Sequence, residues 1–239
     1  MKLDILAFAA HPDDVELACS GTLIKHIKLG YKVGVVDLTC GELGTRGNAM
    51  IRDLESAEAT TLMGLHAREN LGMKDGFFKN DEEHQRIVIR AIRKYQPEIV
   101  FCNAVSDRHI DHARGAQLEK DACFLSGLIK IETFDEQGKP QLPWRPKVVY
   151  HYIQDHFIAP DLVMDITSEW EQKLKVIECY RSQFYDPNSS EPMTPIASKE
   201  FWDFLPARAI NFGRIIGAKY AEGYTVTRAP GINDITKLF

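Results

Sequence analysis

The chain has 239 residues, of which 44% are hydrophobic and 26% charged, and its formal net charge is −5. This is an ordinary globular composition, and the negative balance argues against a nucleic-acid partner. No apolar stretch approaches the ~18 to 20 residues that a membrane span needs, and the five cysteines are scattered singly as expected for free thiols. We therefore expect a cytoplasmic protein with neither membrane nor nucleic-acid partners.

The first half of the chain alternates between two hydrophobic periods. Short apolar runs predict buried strands at residues 5–10, 32–38 and 99–102. Helical spacing predicts helices at residues 15–29, 50–63, 81–95 and 111–128, and Gly30 is typical of the end of the first. Strands that alternate with helices favour a parallel, doubly wound sheet.

The pattern changes after residue 130. A turn-rich connection occupies residues 135–147, and two short strands are predicted at 148–153 and 161–166. Helices follow at about 169–180 and 201–220, with a proline-containing loop or lid at 186–195. The predicted fold class is α/β, a Rossmann-like three-layer α/β/α architecture with a mostly parallel sheet. We interpret residues 1–239 as one domain, in which residues 1–130 form the doubly wound core and residues 131–239 complete the cleft.

The end of the first predicted strand carries an acid–histidine cluster. His11 is followed by Pro12, Asp13 and Asp14, where a helix should begin. A structural alternative makes Asp13 the N-cap of that helix, with Glu16 completing a capping box. That alternative does not explain a histidine beside two adjacent carboxylates, whose mutual repulsion a bound cation would relieve.

The strand at residues 99–102 is followed by a second such cluster, at residues 107–112. Here Asp111 could simply cap the next helix, which would place His112 in its first turn. A protonated imidazole is disfavoured at a helix N-terminus by roughly 0.3 to 1 kcal/mol. A neutral histidine keeps a free lone pair, as a metal ligand must. Two clusters at two strand ends together favour a metal site.

The two clusters contain enough groups for a metal-dependent hydrolase. Two histidines and one carboxylate leave an open position for water, as catalytic zinc requires. The predicted metal ligands are His11, Asp14 and His112. Asp13 then remains as a general base, while His109 can donate a proton to the oxyanion or the leaving nitrogen. Asp111 can orient His109 and balance its charge.

The clusters at residues 11–14 and 109–112 resemble the HPDD and HxDH patterns of the LmbE-like, or PIG-L, family of zinc-dependent N-acetylglucosamine deacetylases. Further agreement lies at residues 37–39, 41–44, 52, 55, 107–109, 182–184 and 220–224. The later segments are most similar to bacillithiol-biosynthesis deacetylases, which act on N-acetylglucosaminyl malate. The resemblance implies one Zn²⁺ per chain, a small acetylated amino-sugar substrate and a homotrimer or homohexamer.

The same resemblance implies the role of each site residue. It gives the zinc to His11, Asp14 and His112, the base to Asp13, and the acid with its electrostatic partner to His109 and Asp111. Arg52 matches an arginine that holds the substrate, including the malyl carboxylate. The alternative for Arg52 is a solvated helix residue paired with Glu55 or Glu58. Ile158 and the region of Phe201 depart from the malate enzymes and bear on the acyl pocket.

Two other functional classes remain open from the residues alone. Two histidines and a carboxylate also suit Fe²⁺ in a non-haem oxygenase, although a spare carboxylate at Asp13 favours hydrolysis. The glycine-rich residues 41–47 suggest a sugar- or nucleotide-binding module, but they lack both common phosphate-loop patterns. The substrate could also be a glucosaminyl inositol or a chito-oligosaccharide.

Overall fold

The computed structural model describes residues 1–232, 234 and 236. Their strands form one seven-stranded sheet in the order β3-β2-β1-β4-β5-β7-β6. The strands are β1 (Ile5–Ala9), β2 (Val33–Thr39), β3 (Ala67–Met73), β4 (Ile99–Cys102), β5 (Val148–Tyr152), β6 (Leu162–Asp165) and β7 (Ala221–Val226). Pairing is parallel from β3 to β5, and β7 runs antiparallel to both β5 and β6. The predicted mostly parallel sheet is confirmed.

Helices cover both faces of this sheet. They are α1 (Asp14–Ala18), α2 (Ser20–Lys28), α3 (Ala49–Met63), α4 (Glu82–Tyr95), α5 (Ile110–Leu125), α6 (Trp170–Ile177) and α7 (Lys199–Ile216). Alternate residues of β1 enter opposite cores: Ile5 and Ala7 pack in the core that includes α1, α2, α3, α6 and α7, whereas Leu6 and Phe8 pack with α4 and α5. Because β1 is buried on both faces, its sequence is a continuous apolar run.

The sheet topology places a crevice between β1 and β4. The chain adds β2 and β3 on one side of β1, and then crosses over to add β4 and β5 on the other. In such a sheet, ligands bind beyond the carboxyl ends of the strands where the order reverses. His11 follows β1 and His112 follows β4, so both acid–histidine clusters lie at this switch point.

Two differences from the predicted elements have physical causes. The predicted helix at residues 15–29 is divided into α1 and α2 at Cys19, whose φ of −139° is not helical. The strands β3 and β7 were not predicted, because each carries polar side chains that find buried partners elsewhere. Arg68 of β3 binds Asp37, and Glu222 of β7 binds Lys173. Among the residues described, no helix combines the length and apolar character needed to cross a membrane.

Candidate active site

The turn between β1 and α1 holds Asp13 in an unusual backbone conformation. Its φ is +132°, a region that non-glycine residues rarely adopt and that costs on the order of 1–3 kcal/mol. The Asp13 side chain makes no capping hydrogen bond, and Glu16 is bound by Arg68 instead. Asp13 thus occupies the N-cap position of α1, but the capping box is wrong, and the Asp13 carboxylate lies in the cleft wall.

Two imidazoles, one from each cluster, meet at the carboxylate of Asp14. Asp14 Oδ1 lies 3.0 Å from His112 Nε2, and Asp14 Oδ2 lies 3.4 Å from His11 Nδ1. All three residues are buried, with 2%, 4% and 7% exposure for Asp14, His112 and His11. The predicted metal ligands are thus brought together, although residues 11 and 112 are far apart in the sequence.

The other nitrogen of each of these imidazoles faces a second carboxylate. His11 Nε2 lies 3.0 Å from Asp75 Oδ1, and His112 Nδ1 lies 2.6 Å from Asp107 Oδ2. Metal-binding histidines ordinarily donate their second ring N–H to such a group, which fixes the ring and its tautomer. The donor set therefore fits a divalent cation such as zinc on the side that faces Asp14.

Neighbouring carboxylates raise the pKa values of both His11 and His112. Although burial lowers it, the charge of Asp14 and hydrogen bonds to Asp107 and Asp14 raise the pKa of His112 to about 9. The pKa of His11 also rises well above its usual value against its own burial, mainly through hydrogen bonds to Asp111 and Asp14. These buried carboxylates thus attract positive charge, which either protons or a metal ion supply.

His109 presents a third imidazole beside this pair. Its ring centroid lies 4.6 Å from that of His11, and nitrogens of His11, His109 and His112 all lie within 4.8 Å of one another. Burial and the two neighbouring imidazoles lower the pKa of His109, which favours the neutral ring. Its Nδ1 accepts the backbone N–H of Asp111 at 3.3 Å, so the proton of the neutral ring resides on Nε2.

The Asp111 carboxylate differs from the sequence-based expectation. It accepts the Gly76 backbone N–H at 2.7 Å and pairs with Arg114 at 2.7 Å, and it lies 3.5 Å from His11 Nε2. The backbone N–H of Asp111, rather than its carboxylate, contacts His109. The carboxylate therefore supports His11 and the loop after β3. His109, not Asp111, is the N-cap of α5.

Arg52 lies inside the cleft rather than on a solvated helix face. It is 6% exposed, and its Nη2 lies 3.3 Å from Asp13 Oδ2 and 2.5 Å from Gln183 Oε1. The alternative pairing with Glu55 or Glu58 is wrong. Burial raises the pKa of Asp13 to about 7, and the Arg52 charge opposes that rise.

The glycine-rich loop is explained by this arginine. Gly41 has a φ of +64°, and a side chain there would place Cβ 2.2 Å from Arg52 Nη1. The loop therefore makes room for a guanidinium beside Asp13, with no need for a phosphate ligand. The surrounding cleft has a volume of about 420 Å³, and its outer wall includes Leu43, Met193 and Ile196.

Sequence reasoning missed several polar residues of this site. Asp75 follows β3, a strand that the sequence did not predict, so its approach to His11 was not visible. Gln154 follows β5 and donates its side-chain amide to Asp14 at 2.8 Å. Neither residue belongs to a local motif. Only the strand order brings both of them to the crevice.

Sheet and site together define a Rossmann-like α/β protein with an enzyme-like acid–histidine cleft. A model of the PIG-L family, described as GlcNAc-PI de-N-acetylase, matches residues 6–123. The crystal structure of the conserved protein TT1542 from Thermus thermophilus is similar, with 30% identity, a TM-score of 0.84 and 98% coverage of both chains. The chain belongs to the PIG-L, or LmbE-like, deacetylase family.

Curated relatives include more than one activity. The diacetylchitobiose deacetylase of Thermococcus kodakarensis is 26% identical, over 95% of this chain and 84% of its own. A probable N-acetyl-alpha-D-glucosaminyl L-malate deacetylase 2 of Bacillus anthracis is 23% identical, over 83% of this chain and 93% of its own. The 4-oxalmesaconate hydratase of Pseudomonas putida is 25% identical, over 74% of this chain and 73% of its own length.

Proposed function

We propose that this protein is a zinc-dependent N-deacetylase that releases acetate from an N-acetylglucosaminyl conjugate. The observation that carries the proposal is the convergence of His11, Asp14 and His112, with the Asp13 carboxylate beside them on the cleft wall. This arrangement leaves one acid outside the ligand set, as a hydrolase needs for its water. Deacetylases among the relatives support the same reaction.

Zinc bound at this site would polarise the acetamide carbonyl and lower the pKa of a bound water. Asp13 is the group that would accept a proton from water, and the Arg52 charge opposes the rise in its pKa that burial causes, which favours the ionised carboxylate. His109 presents its Nε2–H to the oxyanion as a hydrogen-bond donor, because its Nδ1 accepts the Asp111 N–H. The proton that Asp13 accepts from water passes to the leaving nitrogen. Acetate and a free amine are the products, and no redox partner is needed.

We propose N-acetylglucosaminyl malate as the first substrate to test, with N,N′-diacetylchitobiose as its strongest competitor. The sequence resemblance and the Bacillus anthracis relative support the malate conjugate. The Thermococcus relative supports the chitobiose, at slightly higher identity. Arg52 contacts Asp13 at the reacting end of the cleft, which fits the sugar or acetyl group better than a distant malyl carboxylate.

A panel assay for free amine tests the function. The purified protein is given the malate, inositol and methyl glycosides of N-acetylglucosamine, and diacetylchitobiose, with zinc content measured on the same sample. We expect amine release from at least one substrate. An enzyme that releases amine from none of them would contradict the deacetylase proposal.

Hydration is the second candidate function, because the Pseudomonas relative favours it. A parallel assay of water addition to 4-oxalmesaconate tests this candidate.

Removal of the metal is expected to abolish turnover and to lower stability. Chelation should remove the activity, and Zn²⁺ should restore it without a requirement for O₂, which separates hydrolysis from an iron oxygenase. At free zinc about 1,000 times its Kd, binding stabilises the fold by about 4 kcal/mol, so Tm should rise on zinc addition. His112→Ala should lose this shift, whereas His84→Ala, outside the site, should keep it. An unchanged Tm in the parental protein would contradict the metal site.

Replacement of Arg52 is expected to move the pH profile. The guanidinium stabilises the charged Asp13 carboxylate, so its removal raises the pKa of Asp13. Asp13 is then protonated over a wider pH range, and the acid limb of kcat/KM should shift upward by about one pH unit in Arg52→Gln. Arg52→Lys should reduce the shift, and Arg181→Gln, on the surface, should show none. If the acid limb of the kcat/KM profile did not shift in Arg52→Gln, Arg52 would not control the pKa of Asp13.

We also infer that the chain assembles as a homo-oligomer. Two large apolar side chains on α3, Met50 and Leu54, are 74% and 66% exposed. Exposed apolar side chains grouped on one helix are typical of an interaction surface. The trimeric or hexameric state implied by the sequence resemblance is in keeping with this surface.

A further inference from the structure

Gln154 connects the C-terminal part of the sheet to the acid–histidine centre. It lies just after β5 and is 5% exposed, and it belongs to the wall of the cleft. Its Nε2 donates to Asp14 Oδ1 at 2.8 Å, the oxygen that also lies 3.0 Å from His112 Nε2. Gln154 therefore contacts the one carboxylate that joins the two histidines.

The orientation of the Gln154 amide follows from its partner. A carboxylate only accepts hydrogen bonds, so the NH₂ group must face Asp14, since the reverse orientation would oppose two oxygens. The amide oxygen Oε1 is buried without a hydrogen-bond partner. An unpaired buried acceptor costs on the order of 1–3 kcal/mol. Among the residues that the structure describes, the contact with Asp14 is therefore the hydrogen bond that orients this amide.

The backbone of Gln154 is held as firmly as its side chain. Arg208 of α7 donates Nη1 to the Gln154 carbonyl and Nη2 to the Leu17 carbonyl at 2.7 Å. Leu17 belongs to α1, the short helix that begins with Asp14. One guanidinium therefore fixes the segment that donates to Asp14 relative to the helix that carries Asp14.

We propose that Gln154 is a positioning residue that sets the orientation of Asp14 for metal binding. The inference rests on the proposed metal site and deepens it. The backbone N–H of His11 holds Asp14 Oδ2 at 2.8 Å, and the Gln154 amide restrains the other oxygen, Oδ1, which faces His112. Partners of metal ligands at this distance typically contribute 10- to 100-fold to metal affinity. Gln154 contributes through Asp14 and needs no contact with substrate.

Zinc affinity measured against a chelating indicator tests this role. Gln154→Leu and Gln154→Met remove the donor and keep an apolar side chain of similar length. Both should bind Zn²⁺ about 10- to 100-fold more weakly than the parental protein, with kcat at saturating zinc reduced and KM little changed. The use of two variants guards against one that does not fold, and circular dichroism of the metal-free protein checks each.

Gln141→Leu is the matched control. The Gln141 amide also donates through Nε2, to the Arg90 carbonyl at 3.0 Å, and its Oε1 is likewise buried and unpaired. It lies outside the cleft, so its zinc affinity should equal that of the parental protein. Folded Gln154 variants that bind zinc within twofold of the parental protein would overturn the proposal. A parental protein that binds no zinc would overturn the metal site and this proposal with it.

Discussion

Asp13→Ala is expected to lower kcat by about 10³-fold while the protein retains its zinc. The carboxylate is not among the groups that meet at Asp14, so its loss should leave metal affinity near the parental value. What disappears is the acceptor for the proton of water, and Arg52 cannot replace it because a guanidinium has no acceptor atom. Steady-state kinetics and metal content measured on the same preparation check this result.

Asp13→Gly makes the same test sharper. Glycine adopts positive φ without the steric cost that Asp13 bears at +132°, and the substitution also removes a buried carboxylate. Both variants leave Arg52 without its carboxylate partner, so the comparison between them isolates the backbone. We therefore expect Asp13→Gly to be as inactive as Asp13→Ala but more stable than Asp13→Ala, by about 1 kcal/mol in the free energy of unfolding. A variant that retains turnover would show that another group accepts the proton. If Asp13→Gly were no more stable than Asp13→Ala, the backbone strain would not be stored at this residue.

Glu222→Ala is expected to destabilise the fold by about 3–5 kcal/mol. Glu222 is buried on β7 and accepts hydrogen bonds from the backbone N–H of Gly21 at 2.9 Å and of Thr22 at 2.8 Å, in the first turn of α2. It also pairs with the buried Lys173 at 2.6 Å. Its removal leaves an uncompensated buried ammonium and two unsatisfied amides. Urea unfolding of the zinc-loaded protein measures the effect, and Tm should fall by about 10 °C.

A double substitution separates the contribution of the buried charges to stability from that of side-chain packing. Lys173→Met combined with Glu222→Leu removes both charges and should recover part of the loss, since apolar pairs often replace buried ion pairs without cost. Glu136→Ala, at an exposed ion pair with Lys94, should change stability by less than about 1 kcal/mol. If Glu222→Ala proved as mild as Glu136→Ala, the buried pair would not hold β7 against α2 and α6.

The sequence predicted those parts of the site that are local. His11 and His112 each follow an apolar strand, and two such strands in a doubly wound sheet can meet at a switch point, as β1 and β4 do. Local pattern also indicated Asp13 and Asp14. Arg52 contacts the loop around Gln183, Asp75 follows β3, and Gln154 follows β5. These elements are distant from the two clusters in the chain, and no periodic signal in the sequence indicates that they meet there.

The role of Asp111 shows the same limit. Its spacing from His109 indicated a side-chain contact, but the start of α5 directs its backbone N–H to that ring and its carboxylate to His11 and Gly76. Helix geometry at a single residue decided which atom faces which neighbour. A motif specifies residue types and cannot specify these directions.

The outer wall of the cleft and the acid–histidine centre belong to separate segments of the chain. His11, Asp14 and His112 stand at the tips of central strands, whereas Leu43 and Met193 come from connections that the sheet does not constrain. Insertions or replacements in these connections can therefore reshape the outer wall without moving the acid–histidine centre. A change confined to these connections would alter which molecules the cleft admits and leave the positions of the acid–histidine groups unchanged.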